Sequence, residues 1–76
     1  MNKQKRKQLN EAIKLLNQAK DIVESVLDEE QEDFDNKSEG LQQAMGGQIM
    51  EEAIGNMESA IDSIDEVVDY ISEAMM

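Results

Sequence analysis

Residues 50–76 read MEEAIGNMESAIDSIDEVVDYISEAMM, and this stretch decides the fold. Its apolar residues recur with a period of seven, because Met50, Met57, Ile64 and Ile71 share one position. Further apolar residues follow each of these after three and after four positions. Eight acidic residues and no Lys or Arg occupy the positions between them. The pattern predicts an amphipathic helix over residues 48–75, with a wide apolar stripe and an acidic back.

A second amphipathic segment covers residues 8–34. Leu9, Leu16 and Val23 repeat every seven residues, with an apolar residue three positions after each, and four positions later come Ile13, Lys20 and Leu27. Leu15 and Ile22 add a flank, so this stripe is broader than a two-position coiled-coil seam. The segment has no proline and consists mostly of good helix formers. We therefore predict a first helix over residues 8–34, preceded by a frayed, basic lead-in over residues 1–7.

Residues 35–47 interrupt both patterns and form the predicted connection. The run from Asp35 to Ser38 has turn chemistry, and glycines at 40, 46 and 47 follow it. Asn36 with Glu39 resembles a capping box, which predicts a short helical turn here, and Gly46-Gly47 would free the chain to enter the last helix. The 76 residues thus make a single all-α domain. It is an antiparallel hairpin of two long amphipathic helices with a short helical turn in the connection.

The width of the two stripes bears on the oligomeric state. A hairpin covers only part of stripes this wide, and an uncovered apolar strip favours an interface. A 76-residue chain without cysteine has neither a large core nor disulfides to stabilise it. We expect a homodimer in which two hairpins form a four-helix bundle, with a monomeric hairpin awaiting another protein as the alternative. The expected oligomer interface consists of Leu15, Ile22, Ile54, Ile61, Val68 and Tyr70.

The residue types that carry most catalysis and metal binding are missing. The chain has no His and no Cys, which removes the commonest general base, the commonest nucleophile partner and the main transition-metal ligands. Residues 33–44 begin like an EF-hand calcium loop, but Lys37, Ser38 and Ala44 stand where that loop needs a ligand, a glycine and a glutamate. The sequence therefore predicts no enzyme activity, no cofactor and no specific metal site.

The charge is strongly acidic and unevenly placed. The net charge is −11, from 18 acidic and 7 basic residues. Four bases and no acid lie in residues 1–7, seven acids against Lys37 lie in residues 28–39, and no base follows Lys37. Such a surface repels nucleic acid and anionic membranes and favours a partner with a basic surface, although excess acid also simply keeps a small helical protein dissolved. With no membrane-spanning run and no secretory-signal pattern, we expect a cytoplasmic protein.

Two segments resemble a known group of proteins. Residues 34–42 read FDNKSEGLQ and residues 50–63 read MEEAIGNMESAIDS. They resemble small acidic helical proteins encoded by phages, prophages and conjugative elements of Gram-positive bacteria, and the resemblance extends from about Glu11 onward. Those proteins tend to have proline where this chain has Ser38. The resemblance implies a mobile-element origin and a bacterial host cell, favours roles directed at the host, and supplies no functional residues.

Two hypotheses of different classes follow for the function. In the first, the chain inhibits a host protein, such as a defence nuclease, by stoichiometric binding through acidic helix faces, as DNA-mimic proteins do. The candidate contacts are Glu51, Glu58, Asp62, Asp65, Asp69 and Glu73, together with Asp28, Glu29, Glu32 and Asp33. In the second, the chain is a dimeric scaffold or assembly-accessory protein that binds through its apolar strip. A weaker third hypothesis gives basic residues 3–7 a nucleic-acid accessory role.

Overall fold

The backbone folds into helices that run side by side. A computed structural model describes all 76 residues and contains three helices and no strand: α1 (Lys3–Asp35), α2 (Glu39–Gln43) and α3 (Met45–Ala74). The long helices α1 and α3 pack against each other antiparallel, α2 lies between them in sequence and packs on α3, and the molecule measures 57 × 15 × 13 Å. The prediction of an all-α helical hairpin with a short helical turn in its connection is confirmed.

The first helix starts earlier than its apolar pattern. It begins at Lys3 instead of residue 8, so the predicted frayed lead-in over residues 1–7 is wrong. Asn2 is extended, and its Oδ1 accepts a hydrogen bond of 2.8 Å from the backbone N–H of Lys5. An Asn cap and a run of Lys, Gln and Arg, which are good helix formers, extend the helix without any packing partner. The predicted end at residue 34 is within one residue of the observed end at Asp35.

Hydrogen bonds order the connection, but the residue that caps α2 is not the one that the sequence predicted. Asn36 closes α1, because its N–H donates to the Glu32 carbonyl at 3.0 Å. Ser38 therefore caps α2 in its place, with its Oγ accepting from the Leu41 N–H at 3.4 Å. The side-chain amide of Gln42 donates to the carbonyls of Phe34 and Lys37, at 3.0 and 3.2 Å. These bonds hold α2 against the end of α1.

The third helix also begins before its predicted start. It starts at Met45 instead of residue 48, so Gly46 and Gly47 are helical and do not form a flexible entry. Gly47 is buried, and a Cβ placed on it would lie 2.5 Å from the Leu41 carbonyl oxygen and closer still to that of Gln42. Glycine is needed at 47 for this close approach of two backbones. No residue in the chain has a positive φ, so no turn depends on a left-handed conformation.

The core is a single seam between α1 and α3. We label heptad positions a to g so that Leu9 in α1 and Met50 in α3 both occupy a. Every residue at a and e between Leu9 and Met75 on these helices is buried or half-buried, although Ile54, 6% exposed, is the only fully buried apolar residue. The seam residues are Leu9, Ile13, Leu16, Lys20, Val23, Leu27, Glu30 and Phe34 of α1, and Met50, Ile54, Met57, Ile61, Ile64, Val68, Ile71 and Met75 of α3.

The pairing of the two helices is set by contacts across the seam. Lys20 lies against Asp65, and one groove is lined by Gln31 and Phe34 of α1 together with Glu51, Ile54, Gly55 and Glu58 of α3. The residue numbers of the Lys20–Asp65 pair add up to 85, and this sum gives the level of one helix against the other. Because α3 and the two residues after it end at 76, residues 3–8 of α1 extend beyond α3, over roughly 9 Å of unpaired helix.

Candidate interaction surfaces

The hairpin has two faces of different chemistry. A shallow groove on one side is lined by Gln31, Phe34, Glu51, Ile54, Gly55 and Glu58, which occupy positions b, e and f of both helices. Viewed down each helix, positions b and e are rotated from a in one direction, and positions d and g are rotated in the other. Positions d and g therefore lie on the other flank of the seam. The d and g residues of α1 and α3 therefore share the opposite side of the hairpin.

The acidic face is formed by positions b, c and f. All eight acidic residues of α3 occupy these positions and all are exposed: Glu51, Glu52, Glu58, Asp62, Asp65, Glu66, Asp69 and Glu73. Asp28 and Glu32 of α1 lie at f and c and are also exposed, so the structure places them with this set. Glu29 and Asp33 lie at g and d, on the opposite side near the connection. The ten acidic residues expected to contact a partner thus divide between two faces.

One basic residue enters the acidic face from the other helix. The ammonium of Lys20 lies 2.8 Å from Asp65 Oδ1 and 3.8 Å from Glu24 Oε1. The hydrogen bond to Asp65 raises the pKa of Lys20 above its ordinary value, partial burial opposes it, and the charges of Asp65, Glu24 and Asp21 add to the rise. Asp65 is therefore partly neutralised, which makes it the weakest of the expected α3 contacts. The ion pair was not predicted, although a lysine at a seam position was a signal for it.

The apolar strip runs along the opposite side, at positions d and g. Its large members remain well exposed: Leu15 at 56%, Ile22 at 66%, Val26 at 44%, Ile49 at 60%, Val67 at 41% and Tyr70 at 68%. The helix pairing puts Leu15 at the level of Tyr70, since 15 and 70 add up to 85. Small residues, among them Ala19 of α1 and Ala60 of α3, lie between the large ones and are exposed as well. The strip is continuous across both helices.

The structure leaves only half of the residues expected at the oligomer interface exposed. Leu15, Ile22 and Tyr70 do lie on the apolar strip. Ile54, Ile61 and Val68 occupy position e and are buried or half-buried in the seam with α1, so they are not free for a partner. The stripe has flanks on both sides of position a, and the intrachain helix covers the e flank instead of the d flank. Val26 and Val67, which were not assigned, belong to the exposed strip.

A basic end completes the set of surfaces. Lys3, Arg6, Lys7 and Lys14 line a shallow groove on α1 together with Asn10 and Glu11. Lys5 lies at position d, in line with the apolar strip, and no acidic residue of α3 reaches this overhanging part of α1. The acids of residues 28–39 are concentrated at the opposite end of the 57 Å molecule. The hairpin is thus strongly polarised along its length.

No three His, Cys, Asp or Glu side chains come close enough together to hold a metal ion. None of the helices carries an apolar stretch long enough to cross a membrane.

No family model, curated protein or solved structure gives a significant match to the chain.

Proposed function

We propose that this chain is a non-enzymatic interaction protein of a phage or other mobile element. It inhibits a host protein, such as a defence nuclease, by stoichiometric binding of its acidic face to a basic surface. The observation that carries the proposal is the set of eight exposed carboxylates on α3, all at positions b, c and f and without an intervening base. An acidic surface held on a rigid helix is the complement of a groove built for nucleic acid.

The charge spacing supports mimicry of a nucleic-acid strand. From Glu51 to Glu73 the helix rises about 33 Å, so its eight carboxylates are spaced at about one per 4 Å of axis. A single DNA strand carries one phosphate per about 3.4 Å. The acidic face therefore approaches the linear charge density of one strand, although it falls short of that of a duplex.

Salt dependence tests the electrostatic mechanism. The partner would be captured from host lysate with the tagged chain, purified, and titrated with the chain at increasing salt concentration. Affinity should fall linearly with salt on logarithmic axes, because binding releases counterions from the basic groove. An affinity that does not change with salt would remove the acidic face as the binding surface.

Charge reversal tests the residues themselves. The triple variant Glu58→Lys, Asp62→Lys and Asp69→Lys alters three exposed carboxylates that make no ion pair within the chain. At about 0.5–1 kcal/mol for each exposed contact, we expect a loss of at least tenfold in affinity for the purified partner. The matched control is Leu15→Ala with Tyr70→Ala on the opposite face, which should bind the partner as the natural chain does.

The alternative function is a dimeric scaffold or assembly-accessory protein that binds through the apolar strip. The exposure of Leu15, Ile22 and Tyr70 favours it. The same two variants separate the hypotheses, because a scaffold of this kind tolerates the charge reversal and loses its partner when the strip is truncated. Circular dichroism of both variants confirms that the helices persist.

A further inference from the structure

We infer that a second copy of this chain covers the apolar strip in a head-to-tail arrangement. The two copies stack α1 on α1 in opposite directions, which brings the basic end of each against the acidic connection of the other. The inference rests on the strip and on the charges at its two ends. It holds whether or not the acidic face binds a host protein, because that face lies on the other side of the hairpin.

The need for a cover follows from how little the hairpin buries. Ile54 is the only fully buried apolar residue, whereas six large apolar side chains of the strip are 41–68% exposed. The backbone measures 57 by 15 Å across this side, so a contact along its full length, which includes the charged ends, has room for the roughly 800 Å² per partner of a standard interface. One hairpin therefore leaves these large apolar side chains for a partner to cover.

Position d shows why the occupant is another copy. Along α1 this position is filled by Lys5, Ala12, Ala19, Val26 and Asp33. Lys5 and Asp33 lie two heptads on either side of Ala19, about 21 Å away in each direction. A twofold axis through Ala19, perpendicular to the helix, exchanges these two positions between copies. Each Lys5 then lies opposite an Asp33 of the second copy, and the contact closes as an isologous dimer.

Side-chain sizes agree with this axis. Ala19 on the axis permits close approach of the two α1 helices, and Ala12 of each copy leaves room for Val26 of the other, while Leu15 and Ile22 interdigitate on either side of the axis. Tyr70 and Val67 extend the same contact to α3 on α3. Positions b and f face away from the dyad in both copies and position c lies at the rim of the contact, so the dimer keeps two outward acidic faces.

Charge selects the head-to-tail orientation over the parallel one. A parallel dimer places two acidic connections together, each with seven acids and one lysine, and two basic ends together at the other extreme. On the faces that meet, the head-to-tail dimer opposes Lys5 of each copy to Asp33 of the other, with Glu29 one turn away at position g. Like charges in contact are unfavourable and opposite charges fix the register of an interface.

Sedimentation equilibrium tests whether the strip is the interface. The natural chain should have about twice its mass of 8.6 kDa, and the variant Ile22→Asp with Tyr70→Asp should have the single mass. The matched control is Leu41→Asp with Met45→Asp, which changes two equally exposed apolar residues outside the strip and should remain dimeric. A natural chain that stays at 8.6 kDa up to the highest soluble concentration, or a control as monomeric as the strip variant, would overturn the inference.

Cross-linking tests the orientation, because the chain has no native cysteine. Lys5→Cys and Asp33→Cys are prepared separately and treated with a short bismaleimide. In a head-to-tail dimer each variant alone should give almost no cross-linked dimer, since like positions lie about 42 Å apart. A mixture of the two should cross-link efficiently. Cross-linking of Lys5→Cys with itself would show a parallel dimer, and equal cross-linking of all samples would show that there is no fixed register.

Discussion

Replacing Gly47 with alanine tests whether the backbone of α2 packs closely on α3 at this residue. In an open helix, glycine to alanine stabilises by about 0.5–1 kcal/mol, because alanine loses less backbone entropy on folding. At Gly47 the added methyl group would lie 2.5 Å from the Leu41 carbonyl oxygen and 2.6 Å from the Gln42 carbonyl carbon. Both are backbone atoms, so no side-chain rotation relieves the contact and α2 must move away.

The cost can be estimated from the contacts that this movement breaks. Overpacking of this kind costs about 1–3 kcal/mol. Loss of the two Gln42 hydrogen bonds to Phe34 and Lys37 adds about 1 kcal/mol each, so the net destabilisation after the helix-propensity gain of about 0.5–1 kcal/mol is about 2–4.5 kcal/mol. For a domain of this size, each kcal/mol lowers the melting temperature by roughly 4–8 °C.

Two other glycines in the same helix serve as matched controls. Gly46 and Gly55 are exposed, and a Cβ on either would meet nothing within 4 Å. Gly46→Ala and Gly55→Ala should therefore raise the melting temperature followed by far-UV circular dichroism, at one fixed protein concentration since assembly shifts this temperature. If Gly47→Ala melts as high as Gly55→Ala, α2 does not pack on α3 as described.

Three further perturbations test the rest of the fold. Ile54→Ala should cost about 2–5 kcal/mol in urea unfolding, whereas Leu41→Ala, 58% exposed, should change it by less than about 0.5 kcal/mol; equal losses would place the core elsewhere. Lys20 has a pKa raised by Asp65, so its stabilising contribution is complete below pH 10.5 and is lost as pH rises through the higher folded value. The free energy of unfolding of the natural chain minus that of Lys20→Met should therefore fall above pH 10.5, and a constant difference would contradict the pairing. Asn2→Ala should destabilise the first turn of α1 by about 1 kcal/mol and speed hydrogen exchange of the Lys5 amide. Unchanged exchange at Lys5 would exclude the cap.

The sequence was sufficient for the parts of the fold that depend on local periodicity. Heptads anchored on Leu9 and Met50 predicted two long amphipathic helices, and the turn residues between them predicted the hairpin. The start of α1 was missed because a cap and helix propensity, not apolar residues, determine it. A pattern of apolar residues marks only the part of a helix that packs on a neighbour. It therefore could not predict the first residues of α1, which extend beyond α3.

The features that depend on how the helices are placed against each other could not be predicted from periodicity. An apolar stripe centred on position a has two flanks, and periodicity does not say which of them the neighbouring helix covers. Ile54, Ile61 and Val68 were therefore assigned outward, although they pack inside. The pair between Lys20 and Asp65 and the close approach at Gly47 require the relative positions of separate helices. The division of the acidic residues into two faces follows from the same placement.

The two faces of the hairpin have a consequence for any function by binding. The acidic face and the apolar strip lie on opposite sides, so one chain can bind a basic partner and a second copy at the same time. A dimer would then hold two partners, or two sites of one dimeric partner, on its outer surfaces. Measurement of the binding ratio by mass would show two partner molecules for each pair of chains.

The absence of positive φ angles bears on which residues of this sequence can be substituted. Since no residue needs a left-handed conformation, three of the four glycines are replaceable and only Gly47 is fixed by its surroundings. Ser38 sits at φ −63°, an angle that the proline ring also adopts, so the corner accepts the proline found there in the resembling proteins. Replacement of Ser38 by proline removes the hydroxyl cap and stiffens the chain, but it leaves the path of the backbone unchanged. The corner should therefore tolerate many substitutions, whereas the glycine at 47, just beyond it, should not be replaceable.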